Sequence, residues 1–319
     1  MHPHREAPRP TIAVFGGESL AGKEVVELLE AAGLPAAVKS VDEAEGLDDV
    51  TQARLLVLAG PGEASRKAFE QFPKSNPVVD LAGALEDRPD ARLRAPMVEP
   101  AGHQAPGAIQ VIAHPAAITL ALFLTNLRKA GAIRQSVVQV FEPASERGKE
   151  GIDELQKQVV SLLSFKPLVT EIFHTQAAFN LLARYGPEAP QSLDLIEQKI
   201  ERHLASLLAT AGPLPMPSLR LIQAPVFHGY SSSIWVEFEH EPGLETVNRA
   251  LTSNNNTIDL RPQDEEPPNN VGVAGQDGIQ VGAIAADRNH AGAYWFWVVA
   301  DNLRIAAQNA VEVVRELLR

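Results

Sequence analysis

The sequence predicts an α/β protein: a parallel sheet with crossover connections, followed by a second domain of α+β type. Three observations carry this. In the first 85 residues, short apolar runs containing β-branched residues alternate with stretches of helical spacing, the pattern of strand–helix–strand crossovers. Beyond residue 130 the strands lengthen and the helices fall together, which is an α+β arrangement. The chain has 319 residues, enough for two domains with substantial cores.

Taken in order, residues 1–10 contain three prolines and two histidines and read as a mobile lead-in. Residues 11–15 (TIAVF) are a buried strand, and 16–22 (GGESLAG) a turn. Residues 23–32 follow as a helix through Val25, Val26, Leu28 and Leu29, with Gly33 as its stop. Strands are expected at 36–38, 53–59 and 77–81, with a turn at Gly60-Pro61-Gly62 and a helix at 64–72. Pro115 then fixes its φ and opens a buried helix over 116–127, where its missing N–H costs nothing. A residue at that helix start feels free N–H groups and the positive end of the dipole, a setting that favours a thiolate or another anion.

In the second half, 136–141 alternates as a strand, 151–163 is helical and 193–208 is an amphipathic helix. Pro213, Pro215 and Pro217 break the chain. Residues 218–225 and 233–239 read as strands, Pro242-Gly243 and 252–270 as loops, and 279–284 with 293–299 as a closing pair of strands. Asp301 caps a last helix through Leu318. No internal repeat is found.

Composition narrows the function. Net charge is −12, which argues against nucleic acid and anionic membrane as partners, since both need a basic surface. No run approaches the ~20 apolar residues of a membrane span. The first six residues, Met1 to Glu6, lack the apolar core of a secretory signal, so a cytoplasmic location is the default. Cysteine is absent. That removes disulfides, thiolate metal sites and every cysteine nucleophile together.

The turn Gly16-Gly17-Glu18-Ser19-Leu20-Ala21-Gly22 has the strand-to-helix context of a dinucleotide fingerprint, in which glycines let backbone N–H groups approach a pyrophosphate. Its pattern is G-G-x-x-x-x-G, however, with Ser19 at the expected middle glycine and Glu18 adding negative charge where phosphates would lie. A tight turn that binds nothing accounts for it equally well. The histidines, among them His174, His203, His228 and His240, show no metal spacing and read as satisfied core or surface residues. No G-x-S-x-G elbow is present. Asp264-Glu265-Glu266 reads as a solvated loop face.

Several segments, in order along nearly the whole chain, together resemble the aspartate-semialdehyde dehydrogenase family, including its Usg-type paralogues. They are Val14-Phe15-Gly16-Gly17 with Gly22, Asp80-Leu81-Ala82-Gly83-Ala84, Ala113-His114-Pro115, Gly148-Lys149-Glu150-Gly151, Ala178-Phe179-Asn180, Ala224-Pro225-Val226 with Gly229, and Val299-Ala300-Asp301-Asn302-Leu303-Arg304. The resemblance implies a Rossmann-type NAD(P)-binding-like domain over 11–114 and 301–319. Between its parts it implies an inserted α+β dimerisation domain over 115–300, and the final helix returns to the first domain. Family enzymes reductively dephosphorylate β-aspartyl phosphate with NADPH, through a thioester on cysteine.

Position by position, the resemblance places the family nucleophile of A-N-P-N-C-[ST]-T on Ala117. The family glutamine falls on Glu142, and the arginine that holds the substrate phosphate on Glu86. A second arginine and the acid–base histidine of R-V-P-V-x-x-x-H fall on Gln223 and Tyr230; His228 stands two residues early. Lys199 matches a substrate-side lysine, and Asn302 a nicotinamide contact. Gly16, Gly17, Ser19 and Gly22 occupy the cofactor turn. Alanine has no lone pair with which to form a thioester, and Glu86 and Gln223 remove two charge-assisted anchors for a dianionic acyl phosphate.

The sequence therefore reads as a catalytically degenerate family member kept as a scaffold or regulatory subunit. The alternative is an NAD(P)-dependent oxidoreductase with cysteine-independent chemistry, in which Glu142 or Tyr230 serves as acid or base. An ordinary semialdehyde dehydrogenase is opposed by the missing cysteine. By resemblance the cofactor is NADP or NAD, with weak or absent binding expected because of Glu18 and Ser19. A small-molecule ligand fits either reading.

A homodimer is the expected assembly. Ile234, Val236 and Phe238 share one face of their strand and Trp235 the other, while Trp295 and Trp297 share a face of the late strand. Large side chains on both faces need cover on both, and one layer of helices covers one. The remaining cover comes from a second subunit or, within one chain, from the first domain or a loop such as 252–270.

Overall fold

Strand β1 (Thr11–Phe15) lies inside a six-stranded sheet because its residues are apolar on both faces; Ile12, Ala13 and Val14 are fully buried. The first sheet is completed by β2 (Ala37–Val41), β3 (Leu55–Leu58), β4 (Val78–Asp80), β5 (Ala91–Arg94) and β6 (Ile109–Ile112). Its order is β2-β1-β3-β4-β6-β5 and every pairing is parallel. The helices α1 (Leu20–Ala31), α2 (Leu47–Gln52) and α3 (Gly62–Gln71) are its crossovers. β2 and β3 flank β1 on opposite sides, which makes the C-terminal edge of β1 the topological switch point of the sheet. This computed structural model describes residues 11–34, 36–41, 47–103, 107–212, 214–252 and 257–319. The lead-in expected at 1–10 lies outside them, as do Pro213 and residues 253–256.

The second sheet is mixed. It follows α4 (Pro115–Leu127) and comprises β7 (Ile133–Glu142), β8 (Ser218–Gln223), β9 (Tyr230–Phe238), β10 (Ile258–Leu260), β11 (Ile279–Ala286) and β12 (Ala293–Ala300), in the order β10-β11-β12-β9-β7-β8. Helices α5 (Gly148–Leu163), α6 (Leu193–Ala211) and α7 (Leu244–Thr252) accompany it, and α8 (Asn302–Leu317) ends the chain. α4 is apolar all round and is buried from Ala116 to Leu124, as such helices must be. It packs against α6 and α7, and Phe123 meets Phe296 of β12 edge-on at 5.0 Å.

The chain divides into two compact units. One holds Met1–Pro96, Gln104–Ile112 and Ala306–Arg319, the other Met97–His103 and Ala113–Ile305. Residues 97–103, 113–114 and 301–305, which the sequence places in the first domain, cluster with the second unit.

The α/β class is as expected, and so are the Pro115 helix start and the Asp301 cap, whose Oδ1 accepts from the backbone N–H of Leu303 and Arg304 at 3.0 and 2.9 Å. Several elements differ. The helices expected from 23 and 151 begin three residues earlier, and the strand expected from 233 begins at Tyr230. β5 and β6 were not expected: β5 reads Ala-Arg-Leu-Arg, a charged pattern tolerated because it is an edge strand. Its Arg94 is buried and pairs with Glu316 of α8 at 2.7 Å. α7 and β10 occupy stretches flanking and within the expected loop at 252–270; a nine-residue helix and a three-residue strand give too few periods to read.

Candidate functional site

In the first unit, the turn after β1 is shaped by close packing. Gly16 has φ +77°, and a Cβ there would sit 2.3 Å from Cα of Gly60; one on Gly22 would lie 2.0 Å from the carbonyl oxygen of Gly16. Gly17 is pressed likewise against the Ser40 side chain. Gly16 and Gly22 are thus required by the protein's own backbone, whether or not a phosphate approaches. Ser19 is the N-cap of α1: its Oγ accepts from the Gly22 N–H at 2.9 Å and donates to the Ala59 carbonyl at 2.8 Å. The hydroxyl is therefore engaged inward, and one of the helix N–H groups that would greet a pyrophosphate is taken. Glu18 is exposed and pairs with Lys23 at 3.1 Å. The turn has the strand-to-helix shape of a dinucleotide site, with Ser19 engaged as the helix cap and Glu18 held by Lys23 at the surface. Glu86 lies half-buried in the loop after β4 of the same unit.

In the second unit, four of the singled-out residues come together. Glu142 ends β7, Gln223 ends the neighbouring β8 opposite it, Tyr230 opens β9, and Asn302 begins α8. All four are buried. The sequence reading did not anticipate the groups that join them. Arg147, in the turn after β7, donates from Nη2 to Glu142 Oε1 at 3.0 Å. Tyr185 lies with its hydroxyl 2.6 Å from Gln223 Oε1 and 3.1 Å from Glu142 Oε1. Tyr230 donates toward Glu142 Oε2 at 3.4 Å. Gln223 sends both amide protons to backbone carbonyls, of Glu142 at 2.9 Å and Ala224 at 2.8 Å.

The Asn302 amide is equally engaged. Its nitrogen donates to Glu146 Oε1 at 2.6 Å and to Ser145 Oγ at 3.1 Å, and its oxygen accepts from Gly229 N–H at 3.1 Å and from the Ser145 hydroxyl at 3.3 Å. That fills the donor and acceptor capacity of a carboxamide. His114 is the N-cap of α4; its Nδ1 accepts from the Ala116 N–H at 3.3 Å, so a neutral ring carries its proton on Nε2, 3.7 Å from Glu146 Oε2. The His114 backbone N–H donates to His203 Nδ1 at 2.9 Å. Ala117 stands in the first turn of α4 with its methyl fully buried. Lys199 is half-buried on α6.

The electrostatics follow from burial. Burial, and next the charge of Glu142, pushes the Glu146 carboxyl up to about 7. Burial followed by the Glu146 and Glu142 charges holds the Tyr230 phenol well above its ordinary range, so it remains a donor. Burial disfavours the Arg147 charge, but the neighbouring carboxylates, Glu142 foremost, outweigh this and keep it protonated. The site thus combines one buried ion pair, a carboxyl poised near neutrality and two phenols. His228, the histidine two residues from Tyr230, instead pairs with Asp301 at 2.9 Å.

Tyr185 sits in the long irregular segment between α5 and α6. Two buried side chains of α5 hold that segment in place. Glu154 accepts from the backbone N–H groups of Glu171, Ile172 and Phe173, and Gln158 accepts from those of Ala177 and Ala178. Phe173 in turn packs on the Tyr185 ring at 5.5 Å. Glu154 and Gln158 stand four apart on the buried side of α5, the one sequence signal that could have revealed them. A cavity of about 420 Å³ opens beside Tyr185, between Ser192, Asp194 and Arg220.

A family model described as semialdehyde dehydrogenase, dimerisation domain, matches residues 124–305. A relative from Pseudomonas aeruginosa named USG-1 protein homolog is 29% identical, over 96% of this chain and 97% of its own. Among solved structures, a probable aspartate-semialdehyde dehydrogenase from Pseudomonas aeruginosa superposes with TM-score 0.84 at 28% identity, covering 98% of this chain and 99% of that one. Aspartate semialdehyde dehydrogenase II of Vibrio cholerae, complexed with ASA, has TM-score 0.80 at 25% identity and 98% coverage of both chains.

Proposed function

The chain belongs to the aspartate-semialdehyde dehydrogenase family, and from that premise we propose that it is a non-catalytic member, retained as a scaffold or regulatory subunit. The observation that carries the proposal is a buried methyl group at Ala117, the family's nucleophile position, in a chain without cysteine. No thioester forms there. The internal bonding of Glu142, Gln223 and Asn302 supports the same reading, because groups that would meet a ligand already meet one another. Its test is direct. Protein free of host enzyme gives phosphate-dependent oxidation of aspartate semialdehyde no faster than buffer, and turnover above that level overturns the proposal.

One observation favours a second reading, an oxidoreductase with altered chemistry. Glu146, its carboxyl pushed up to about 7 and lying 3.7 Å from His114 Nε2, is a proton donor of the kind that hydride transfer to an oxo group requires. The cofactor separates the readings. With Ser19 engaged as a cap and the Asn302 amide saturated, calorimetric titration with NADPH or NADH yields no heat of binding or a dissociation constant weaker than about 1 mM, an affinity of roughly 4 kcal/mol. Micromolar binding favours the oxidoreductase.

Self-association is the function the proposal retains. Family membership through a dimerisation domain supports a homodimer with two-fold symmetry.

A further inference from the structure

The cavity of about 420 Å³ beside Tyr185 lies wholly within the second unit and is lined by none of Glu142, Gln223, Tyr230 and Asn302. Its size falls in the lower part of the ~300–1,000 Å³ range of small-ligand sites. One wall is set before any ligand arrives. Leu182 exchanges backbone hydrogen bonds with Gln223 of β8, both at 2.9 Å. The Gly186 N–H donates to the Phe173 carbonyl at 3.0 Å, and a Cβ on Gly186 would lie 2.0 Å from the carbonyl oxygen of His174. Arg184 and Tyr185 are thus carried between two pinned points. A wall fixed in advance lowers the ordering cost of binding.

The other walls are the first turn of α6 and the edge strand β8. Ser192 caps α6, its Oγ accepting from the Leu195 N–H at 3.2 Å. The residue before it is held by Arg147, whose Nη1 donates to Gln191 Oε1 at 2.7 Å. Asp194 accepts from Gln198 Nε2 on Oδ2 at 2.8 Å, which leaves Oδ1 unspent among the described residues. Arg220 of β8 lies 3.5 Å from Glu197 Oε1, too far for a charge-assisted hydrogen bond. The other Glu197 oxygen is taken by the Leu221 N–H at 2.6 Å. Arg184 is exposed and has no hydrogen-bond or ion-pair partner among the described residues. Tyr185 spends its hydroxyl on Gln223 and Glu142, and the rest of the lining is alanine, proline, glycine and leucine. The cavity therefore presents a free guanidinium, a half-free carboxylate and an apolar wall, with a second guanidinium only partly compensated.

We propose that this cavity binds a small zwitterion with the chemistry of a free α-amino acid: Arg184 takes the carboxylate, Asp194 the ammonium and the apolar wall the side chain. A planar guanidinium matches a carboxylate through two parallel bonds, and Arg220 adds positive charge on the same lining. An ammonium brings three donors, one of which meets Asp194 Oδ1. A ligand with only negative charge would face Asp194 unpaired, and one with only positive charge would face both arginines. Each pairing stands in water and is worth little alone, so a ligand that makes both together is the one selected. The ligand would rest against Tyr185, which also bonds Glu142 and Gln223. The inference stands beside the non-catalytic reading and does not depend on it.

The test is calorimetric titration of the full chain with each standard L-amino acid, and with succinate and putrescine as carriers of one kind of charge. At least one amino acid binds with a dissociation constant of about 1 mM or tighter, and succinate and putrescine bind about tenfold more weakly or not at all. Arg184→Ala and Asp194→Asn each weaken that amino acid by about tenfold, with unchanged far-ultraviolet dichroism. Both side chains are exposed, and asparagine keeps an acceptor for Gln198, so neither variant threatens the fold. Lys199→Ala, at the substrate-equivalent position, leaves the affinity unchanged. Three results overturn the inference: no amino acid binding tighter than about 10 mM, succinate or putrescine binding as well as the amino acids, or binding that survives both Arg184→Ala and Asp194→Asn. Turnover of aspartate semialdehyde by the same samples bears on the non-catalytic reading alone.

Discussion

Arg147→Ala lowers the melting temperature by on the order of 10 °C. Glu142 has no exposed side-chain surface, and Arg147 is its counter-charge at 3.0 Å. Removing one member of a buried pair leaves an uncompensated charge and costs about 3–5 kcal/mol, while each kcal/mol moves the midpoint of a unit the size of the second one by roughly 2–4 °C. The Tyr185 and Tyr230 hydroxyls remain as partners, but phenols bring no net charge. In the Arg147→Ala background, Glu142→Gln recovers most of the loss, because a neutral amide needs no counter-charge. Differential scanning calorimetry of the wild type, both single variants and the double variant measures this coupling. A midpoint for Arg147→Ala within a degree or two of wild type would refute the view that this pair anchors the site.

Ala117→Cys leaves phosphate-dependent oxidation of aspartate semialdehyde at the level of the buffer control. The substitution supplies a sulfur at the helix start, where a thiolate is favoured by the N–H groups of the first turn. It does not supply the rest. On the proposed non-catalytic reading, Glu86 is a carboxylate at the position for which the resemblance implies a phosphate-holding arginine, so that charge-assisted anchor is still missing. Gln223 uses both amide protons on backbone carbonyls. Tyr230, whose phenol is held far above neutrality by burial and by Glu146 and Glu142, cannot act as a base near pH 7. Titration with a thiol reagent confirms that the new cysteine is present, and a coupled assay reads turnover. Restored activity from this single change would show that the other side chains are no obstacle and that the missing cysteine alone accounts for the inactivity of the wild type.

Chain order and residue chemistry made much of this molecule legible. β1, β3 and α4 are long or apolar enough to be read directly, and Pro115 and Asp301 mark their helix starts by local rules that need no neighbours. β5, α7 and β10 were illegible because each is short and its pattern is governed by what it packs against. The site divides in the same way. Glu142, Gln223, Tyr230 and Asn302 could be singled out by resemblance. Arg147, Tyr185 and Glu146 could not: Tyr185 and Glu146 meet partners 43 and 156 positions away, and Arg147, only five from Glu142, carries no local mark that its charge turns inward.

The sequence by itself determined the α/β class and the absence of any thiol nucleophile, because both depend only on residue identity and spacing. Only the tertiary structure decided which buried groups meet at the ends of β7, β8 and β9. Residues 142, 147, 185, 223 and 230 meet because β7, β8 and β9 are neighbours in one sheet and because Glu154 and Gln158 fold a long segment back toward it. The same pairing of β9 with β12 brings Trp235 beside Trp295, within reach of one carboxylate. Such contacts are set by sheet order and register, and a buried charge must find its partner in space, not in the adjoining stretch of chain.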